Sequence, residues 1–261
     1  MDDMDLKDWH FDNTQFDYKK AHWLARLAGI AYAQPLSARK IFKAAKFSDN
    51  KYFDKDGAQA YGLEKNGIVF LAFRGTEPKQ ASDLLADAKA WHKKSQYGGT
   101  VHAGFRGEID KIWTEVEEWL KTHPGKPIYV TGHSLGAAMS TLATCRLPAG
   151  TICYNYGSPR VGSPSFSKEF DSKYQLHRFV NNNDAVCRVP LWAMLFRHVG
   201  KLHYINTYGN IRNATPWQRL KDRFRGYRQA WKKGQVFDSL YDHNMGNYAK
   251  RIGQFYDTNK T

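Results

Sequence analysis

The chain has 261 residues, enough for one large core, with 42% hydrophobic, 15% aromatic and 25% charged residues. That balance excludes a disordered chain. With no run of about eighteen apolar residues, it also excludes a membrane-spanning helix. The formal net charge of +14 favours anionic partners, either nucleic acid or acidic membrane surfaces, unless it serves solubility alone. Cys145, Cys153 and Cys187 are odd in number and irregularly spaced. They fit neither a disulfide framework nor a zinc site, so reduced, buried thiols are expected. The opening Met1–Leu6 stretch is acidic and lacks an apolar run, unlike a secretory leader. The expected location is the cytoplasm, or outside it by a route that needs no such leader, with peripheral membrane association.

In chain order, Phe16 to Tyr32 carries Trp23, Leu24, Leu27 and Ile30 at helical spacing. Gly67 to Phe73 is a near-continuous, partly β-branched apolar run, which predicts a buried strand. Phe105 to Lys121 is a second helix, with Ile109, Ile112, Trp113, Val116, Trp119 and Leu120 on one side. Pro127–Thr131 is a short strand, Ala137–Leu147 a helix of small residues, and Thr151–Tyr156, Leu176–Val180 and Leu202–Thr207 further strands. Alternating buried strands and helices predict a single α/β domain over 1–261 with a mostly parallel central sheet and flanking helices.

Directly after the Pro127–Thr131 strand comes Gly132-His133-Ser134-Leu135-Gly136, and a helix follows at once. Gly-x-Ser-x-Gly between a strand and a helix is the pattern of a nucleophile elbow. The serine is held in a strained turn with its hydroxyl above the sheet, and the new helix points its positive end at a developing oxyanion. A nucleophilic serine needs a base and an orienting acid. His177 and His203 alternate with apolar residues in strands and read as structural, which leaves His243 and His198 as candidate bases. His243 lies past the last strand, where such a base belongs. Asp184, behind Asn181-Asn182-Asn183 at the end of a strand, is the candidate acid. Asp171 sits in a helical stretch and is a poorer one.

Several segments together resemble the class 3 lipases, the family of the filamentous-fungal triacylglycerol lipases and their bacterial relatives. They are Phe73-Arg74-Gly75-Thr76, His102-Ala103-Gly104-Phe105, Gly132–Gly136, Tyr156–Gly162, Asn183–Val186, Arg197–Gly200 and Asp242–Met245, in the family's order. The resemblance implies the α/β-hydrolase fold, Ser134 as nucleophile, Asp184 as acid and His243 as base, with His198 near the site but not the base. It implies Thr76 and Leu135 as the backbone donors of the oxyanion hole, and no metal or cofactor. Where the fungal relatives carry an apolar lid, this chain has the mostly polar Glu77–Leu85, and it lacks their disulfides.

A long insert, at about 210–236, separates Gly200 from His243. Within it Pro216 suits the first helical position after a Thr215 cap. Trp217, Leu220, Phe224, Tyr227 and Trp231 then recur beside Arg219, Lys221, Arg223, Arg225, Arg228, Lys232 and Lys233, with only Asp222 acidic. This is either a basic amphipathic helix that docks on an anionic membrane or an ordinary surface helix with its aromatics packed inward. The membrane-facing candidates are Trp217, Arg219, Leu220, Arg223, Phe224 and Arg228. Leu191–Phe196 reads as an apolar wall for an acyl chain or as core. The function expected is hydrolysis of lipid esters, acylglycerol or phospholipid, through an acyl-serine. An esterase for soluble esters and a non-catalytic membrane-binding protein are the alternatives. No nucleic-acid motif is present.

Overall fold

The computed structural model describes residues 16–76, 91–232 and 238–259. The order is α1 (Tyr18–Ile30), α2 (Pro35–Ala44), β1 (Asp49–Lys55), β2 (Ala58–Lys65), β3 (Ile68–Phe73), β4 (His92–Lys94) and β5 (Thr100–His102). There follow α3 (Ala103–Lys121), β6 (Ile128–His133), α4 (Leu135–Thr144), β7 (Ile152–Tyr156), α5 (Pro164–Lys173) and β8 (Gln175–Asn181). The last elements are β9 (Lys201–Ile205), β10 (Ile211–Arg212), α6 (Pro216–Lys232), α7 (Asp238–His243) and α8 (Met245–Thr258).

Eight strands form one sheet in the order β1-β2-β3-β6-β7-β8-β9-β10, while β4 and β5 pair separately. Strands β3, β6, β7, β8 and β9 run parallel, as the helical crossovers between most of them require. The antiparallel additions lie at the edges, β1 and β2 on one side and β10 on the other. The period of two along each strand divides the core in two. Phe70, Ala72, Tyr129, Tyr154 and Phe179 face α1 and α8. Val69, Leu71, Phe73, Val130 and Cys153 face α3, α4 and α5. The sheet is mostly parallel, as the alternating pattern predicts, and the architecture is the α/β-hydrolase fold that the resemblance implies. The thiols of Cys145, Cys153 and Cys187 are all buried and unbridged. No helix among the described residues is long and apolar enough to cross a membrane.

This topology puts the ends of β3, β6, β7 and β8 along one rim of the sheet, where parallel α/β sheets bind ligands. Thr76 follows β3, Ser134 follows β6, Gly157 follows β7 and Asp184 follows β8. His243 reaches the same rim from the junction of α7 and α8.

Candidate active site

Ser134 bridges β6 and α4 with φ 58° and ψ −126°, a conformation that side chains adopt only when the surroundings enforce it. Two glycines make that enforcement sterically feasible. A Cβ on Gly132 would overlap the Gly136 carbonyl, and one on Gly136 would overlap the Phe73 carbonyl of β3. The Ser134 N–H donates to the Tyr156 carbonyl at 3.1 Å, which pins the elbow to the neighbouring strand. Leu135 opens α4, so its N–H is one of those left without a helical acceptor. Residue 75 abuts the elbow, 3.1 Å separating the position of its missing Cβ from the Ser134 Cβ, and Thr76 follows it in the chain.

Asp184 and His243 are both buried, at 1% and 3% exposure. His243 Nδ1 lies 2.8 Å from Asp184 Oδ2. The Tyr248 hydroxyl donates to that oxygen at 2.6 Å, and the Val186 N–H donates to Oδ1 at 2.9 Å. Burial pushes the Asp184 carboxyl up, but the charge and hydrogen bond of His243 and the Tyr248 hydroxyl outweigh it and hold the group below its ordinary value. With Nδ1 occupied, the other ring nitrogen, Nε2, is buried and has no hydrogen-bond partner among the described residues. The ring lies over Gly157, whose φ is +60° and whose Cβ, if present, would stand 3.0 Å from His243 Nδ1 and 2.9 Å from Asp184 Oδ2.

The mount of the imidazole involves residues with no signature in the sequence. His133, within the elbow motif, stacks on His243 with ring centroids 4.4 Å apart. Its Nε2 is 2.7 Å from the His243 carbonyl, and its Nδ1 is 2.8 Å from the Tyr32 hydroxyl. Nε2–H therefore donates to the carbonyl and Nδ1 accepts from the tyrosine, which requires a neutral ring. Burial, helped by His243, pushes its pKa down to about 3, in keeping with that tautomer. Asp242 ties the loops of acid and base together. Its Oδ2 accepts from the Asn183 N–H at 3.0 Å and from Asn182 Nδ2 at 3.2 Å, and its carbonyl accepts from Asn181 Nδ2 at 2.8 Å. The asparagine run before Asp184 thus serves as a set of donors for the residue before His243.

Tyr248 also accepts from the Asn181 N–H at 3.0 Å. Tyr248→Phe is therefore expected to lose about 1–3 kcal/mol of stability through the orphaned amide, together with roughly tenfold in turnover as Asp184 loses one donor. Denaturant melts and initial rates on a soluble ester check both. Wild-type turnover in the variant would remove Tyr248 from the account of the site.

His198, the other candidate base, points its Nε2 at the Cys187 carbonyl, 2.8 Å away, and shares no hydrogen bond with Asp184. His177 and His203 lie 3.1 Å apart and pack on Phe16, well inside the core. Asp171 accepts from the Gly200 N–H at 2.7 Å. Of Leu191–Phe196, only Phe196 belongs to the core, while Leu191, Trp192 and Leu195 are about three-fifths exposed, at 60, 63 and 59%. Glu77–Leu85 lies outside the described residues. So do Lys233 and the side chains of Tyr227, Trp231 and Lys232. Among the described residues, no group of three His, Cys, Asp or Glu is arranged to hold a metal ion.

In α6, Thr215 and Gln218 exchange hydrogen bonds, Thr215 Oγ1 accepting from the Gln218 N–H at 3.2 Å and Gln218 Oε1 from the Thr215 N–H at 2.9 Å. This is the reciprocal cap at the start the sequence predicts. Trp217, Leu220, Phe224 and Arg228 are exposed, and Arg219 and Arg223 are half-buried.

Residues 70–194 match the family described as lipase (class 3). The secreted mono- and diacylglycerol lipase A of Penicillium cyclopium is 33% identical over 180 residues, covering 65% of this chain and 58% of that one. Toxin TseL of Vibrio cholerae serotype O1 is 36% identical over 219 residues, covering 66% of this chain and 32% of that one. The chain thus spans less than two thirds of the length of either relative. The crystal structure of a lipase from Rhizopus microsporus var. chinensis superimposes with a TM-score of 0.62 at 26% identity, over 72% of this chain and 74% of that one. Residues 70–194 thus carry the pattern of the class 3 lipases, and the chain resembles that family in sequence and in fold.

Proposed function

We propose that this chain hydrolyses carboxylic esters of lipids, with Ser134, Asp184 and His243 as its catalytic residues. The observation that carries the reading is the buried His243 ring. One nitrogen is fixed on the Asp184 carboxylate at 2.8 Å, the other has no partner among the described residues, and Ser134 sits in a strained turn at the end of β6. A hydrogen bond from the Ser134 hydroxyl to His243 Nε2 is a contact that often closes only when substrate binds.

In the reaction, Ser134 Oγ attacks the ester carbonyl carbon as its proton passes to His243 Nε2. Asp184 steadies the resulting imidazolium through the Nδ1–H. The carbonyl oxygen becomes an oxyanion, received by the N–H groups of Leu135 and Thr76 at the positive end of α4. As the intermediate collapses, the C–O bond to the alcohol breaks and His243 returns the proton to the departing oxygen. Water then gives its proton to His243 as its oxygen attacks the acyl-serine carbonyl, the bond to Ser134 Oγ breaks, His243 returns the proton to Oγ, and the fatty acid leaves. The lipid class follows from the relatives, which include a mono- and diacylglycerol lipase.

An alkyl fluorophosphonate should label Ser134 and leave Ser134→Ala unlabelled. A panel of triacylglycerol, diacylglycerol, phospholipid and p-nitrophenyl butyrate then sets the substrate class. Turnover of p-nitrophenyl butyrate alone would reduce the reading to an esterase for soluble substrates. Labelling elsewhere, with no turnover of any ester, would reject it.

A further inference from the structure

Helix α6 is amphipathic and seated with its polar side inward. Asp222 is wholly buried. Its Oδ2 accepts from the Tyr204 hydroxyl at 2.9 Å and from the Thr207 N–H at 3.0 Å. Gly226, one turn further on, is buried too, and Arg219 and Arg223 flank the pair half-buried. On the opposite side Trp217, Leu220 and Phe224 are 62, 36 and 62% exposed. At about 100° per residue they fall in one narrow stripe, diametrically across from Asp222 and Gly226. The side chains of Lys221, Arg225 and Arg228 are exposed along one margin of that stripe, and Lys221 Nζ lies 5.3 Å from the centre of the Trp217 ring. A helix that completes a globular core buries its apolar stripe. This one buries a carboxylate and leaves the stripe for another surface.

Charge selects the occupant. The described side chains of α6 include Arg219, Lys221, Arg223, Arg225 and Arg228 against the single acid Asp222, whose carboxylate is engaged inside. A second copy of the chain, also at +14, would bring like charge to the same face. A surface that takes large aromatics beside exposed cations is the interface of a bilayer with acidic headgroups.

We propose that the outward face of α6 docks on an anionic lipid bilayer, with Trp217, Leu220 and Phe224 seated below the headgroups and Lys221, Arg225 and Arg228 at their phosphates. The docking face is coupled to the chemistry by position. Asn183, next to Asp184, donates to the Arg223 carbonyl at 3.4 Å, and α6 packs on α7, which ends in His243. Seating α6 on lipid therefore holds the rim of the sheet beside the bilayer. The proposal goes beyond the hydrolase reading and does not depend on it, because binding is measured on a chain that cannot turn lipid over.

The test uses Ser134→Ala and its derivatives, each checked for native circular dichroism. They are sedimented with vesicles of phosphatidylcholine, with or without about one-third phosphatidylglycerol. The Ser134→Ala chain is expected to bind the acidic vesicles far more tightly than the neutral ones. Lys221→Glu/Arg225→Glu/Arg228→Glu should weaken binding by about 100-fold or more. A control with the same change in charge, Arg39→Glu/Lys40→Glu/Lys43→Glu on the exposed side of α2, should stay within about threefold, since its charges lie away from the docked face. Trp217→Ala/Phe224→Ala should weaken binding by about tenfold or more. Trp217 emission, read as the difference from Trp217→Phe, should move to the blue on acidic vesicles. An equal loss in the α2 control overturns the proposal, and so does unchanged binding by Trp217→Ala/Phe224→Ala. Self-association of the chain in solution that these two substitutions abolish would assign the face to a second copy, and overturns it as well.

Discussion

Ser134→Ala and His243→Ala are each expected to lower kcat on a soluble ester by about 10⁶-fold, and the double variant to be no worse than either. Non-additivity is expected because the two side chains do one job. Without the serine there is no proton for Nε2 to accept, and without the ring the hydroxyl stays protonated. Asp184→Asn should fall between, at about 10⁴-fold. Asp184 Oδ2 accepts from two donors, His243 Nδ1 and the Tyr248 hydroxyl. An amide NH₂ in its place opposes both, and an amide oxygen there carries no charge for the imidazolium. Pre-steady-state rates on p-nitrophenyl butyrate read all four variants. Losses for Ser134→Ala and His243→Ala that simply multiply in the double variant would mean independent roles and would break the relay.

A second large effect is expected in acid. Burial holds His102, His133, His177 and His203 neutral, with pKa values pushed down to about 4, 3, 4 and 3. In the unfolded chain each titrates near about 6.5. Between that value and about 4 the unfolded state binds the extra protons, so stability rises with pH across the window and falls as the pH is lowered through it. One such histidine contributes about 1.4 kcal/mol per pH unit. The four together approach about 5 kcal/mol per unit, enough to exhaust an ordinary domain stability of about 5–15 kcal/mol within two or three units. Asp184, shifted down, contributes stability that is present above about 4 and lost only below it. Thermal melts at pH 7.5, 6, 5 and 4.5 should show Tm falling steeply below about pH 6. A Tm that holds steady down to pH 4.5 would mean these rings are protonated in the folded chain.

The central sheet and the elbow were legible because their signals are local. Buried parallel strands are continuous apolar runs, as Gly67–Phe73 is. The Gly132–Gly136 motif sits where a strand meets a helix. The β1–β2 hairpin was missed because β1 is an edge strand, Asp-Asn-Lys-Tyr-Phe-Asp-Lys, with Phe53 alone fully buried. A signal was nonetheless present. Asp56-Gly57 and Asn66-Gly67 are two-residue hairpin turns with φ of 49° and 82°, and of 52° and 78°. Tyr248 and Tyr32 carry no motif, and the motifs that contain His133 and Asp242 do not show what those two side chains bind. Their roles arise from packing between segments more than 50 residues apart, as the Asn182–Asp242 and Tyr32–His133 bonds show. The orientation of α6 was not legible either. Periodicity identifies an apolar stripe but not which way it faces, and here the lone acid Asp222, through Tyr204 and Thr207, sets the direction.

The pairing of α1 with α8 ties the first described helix to the last. His22 Nδ1 meets the Ala249 carbonyl at 3.0 Å, Tyr18 stacks edge-on against Phe255 at 4.8 Å, and Met245 lies against Gly29. During synthesis, α1 leaves the ribosome before α8 and cannot find this partner until the more than 200 residues between them have emerged. A nascent chain can therefore pair β6, β7 and β8 while the seat of His243 on α8 is still inside the exit tunnel.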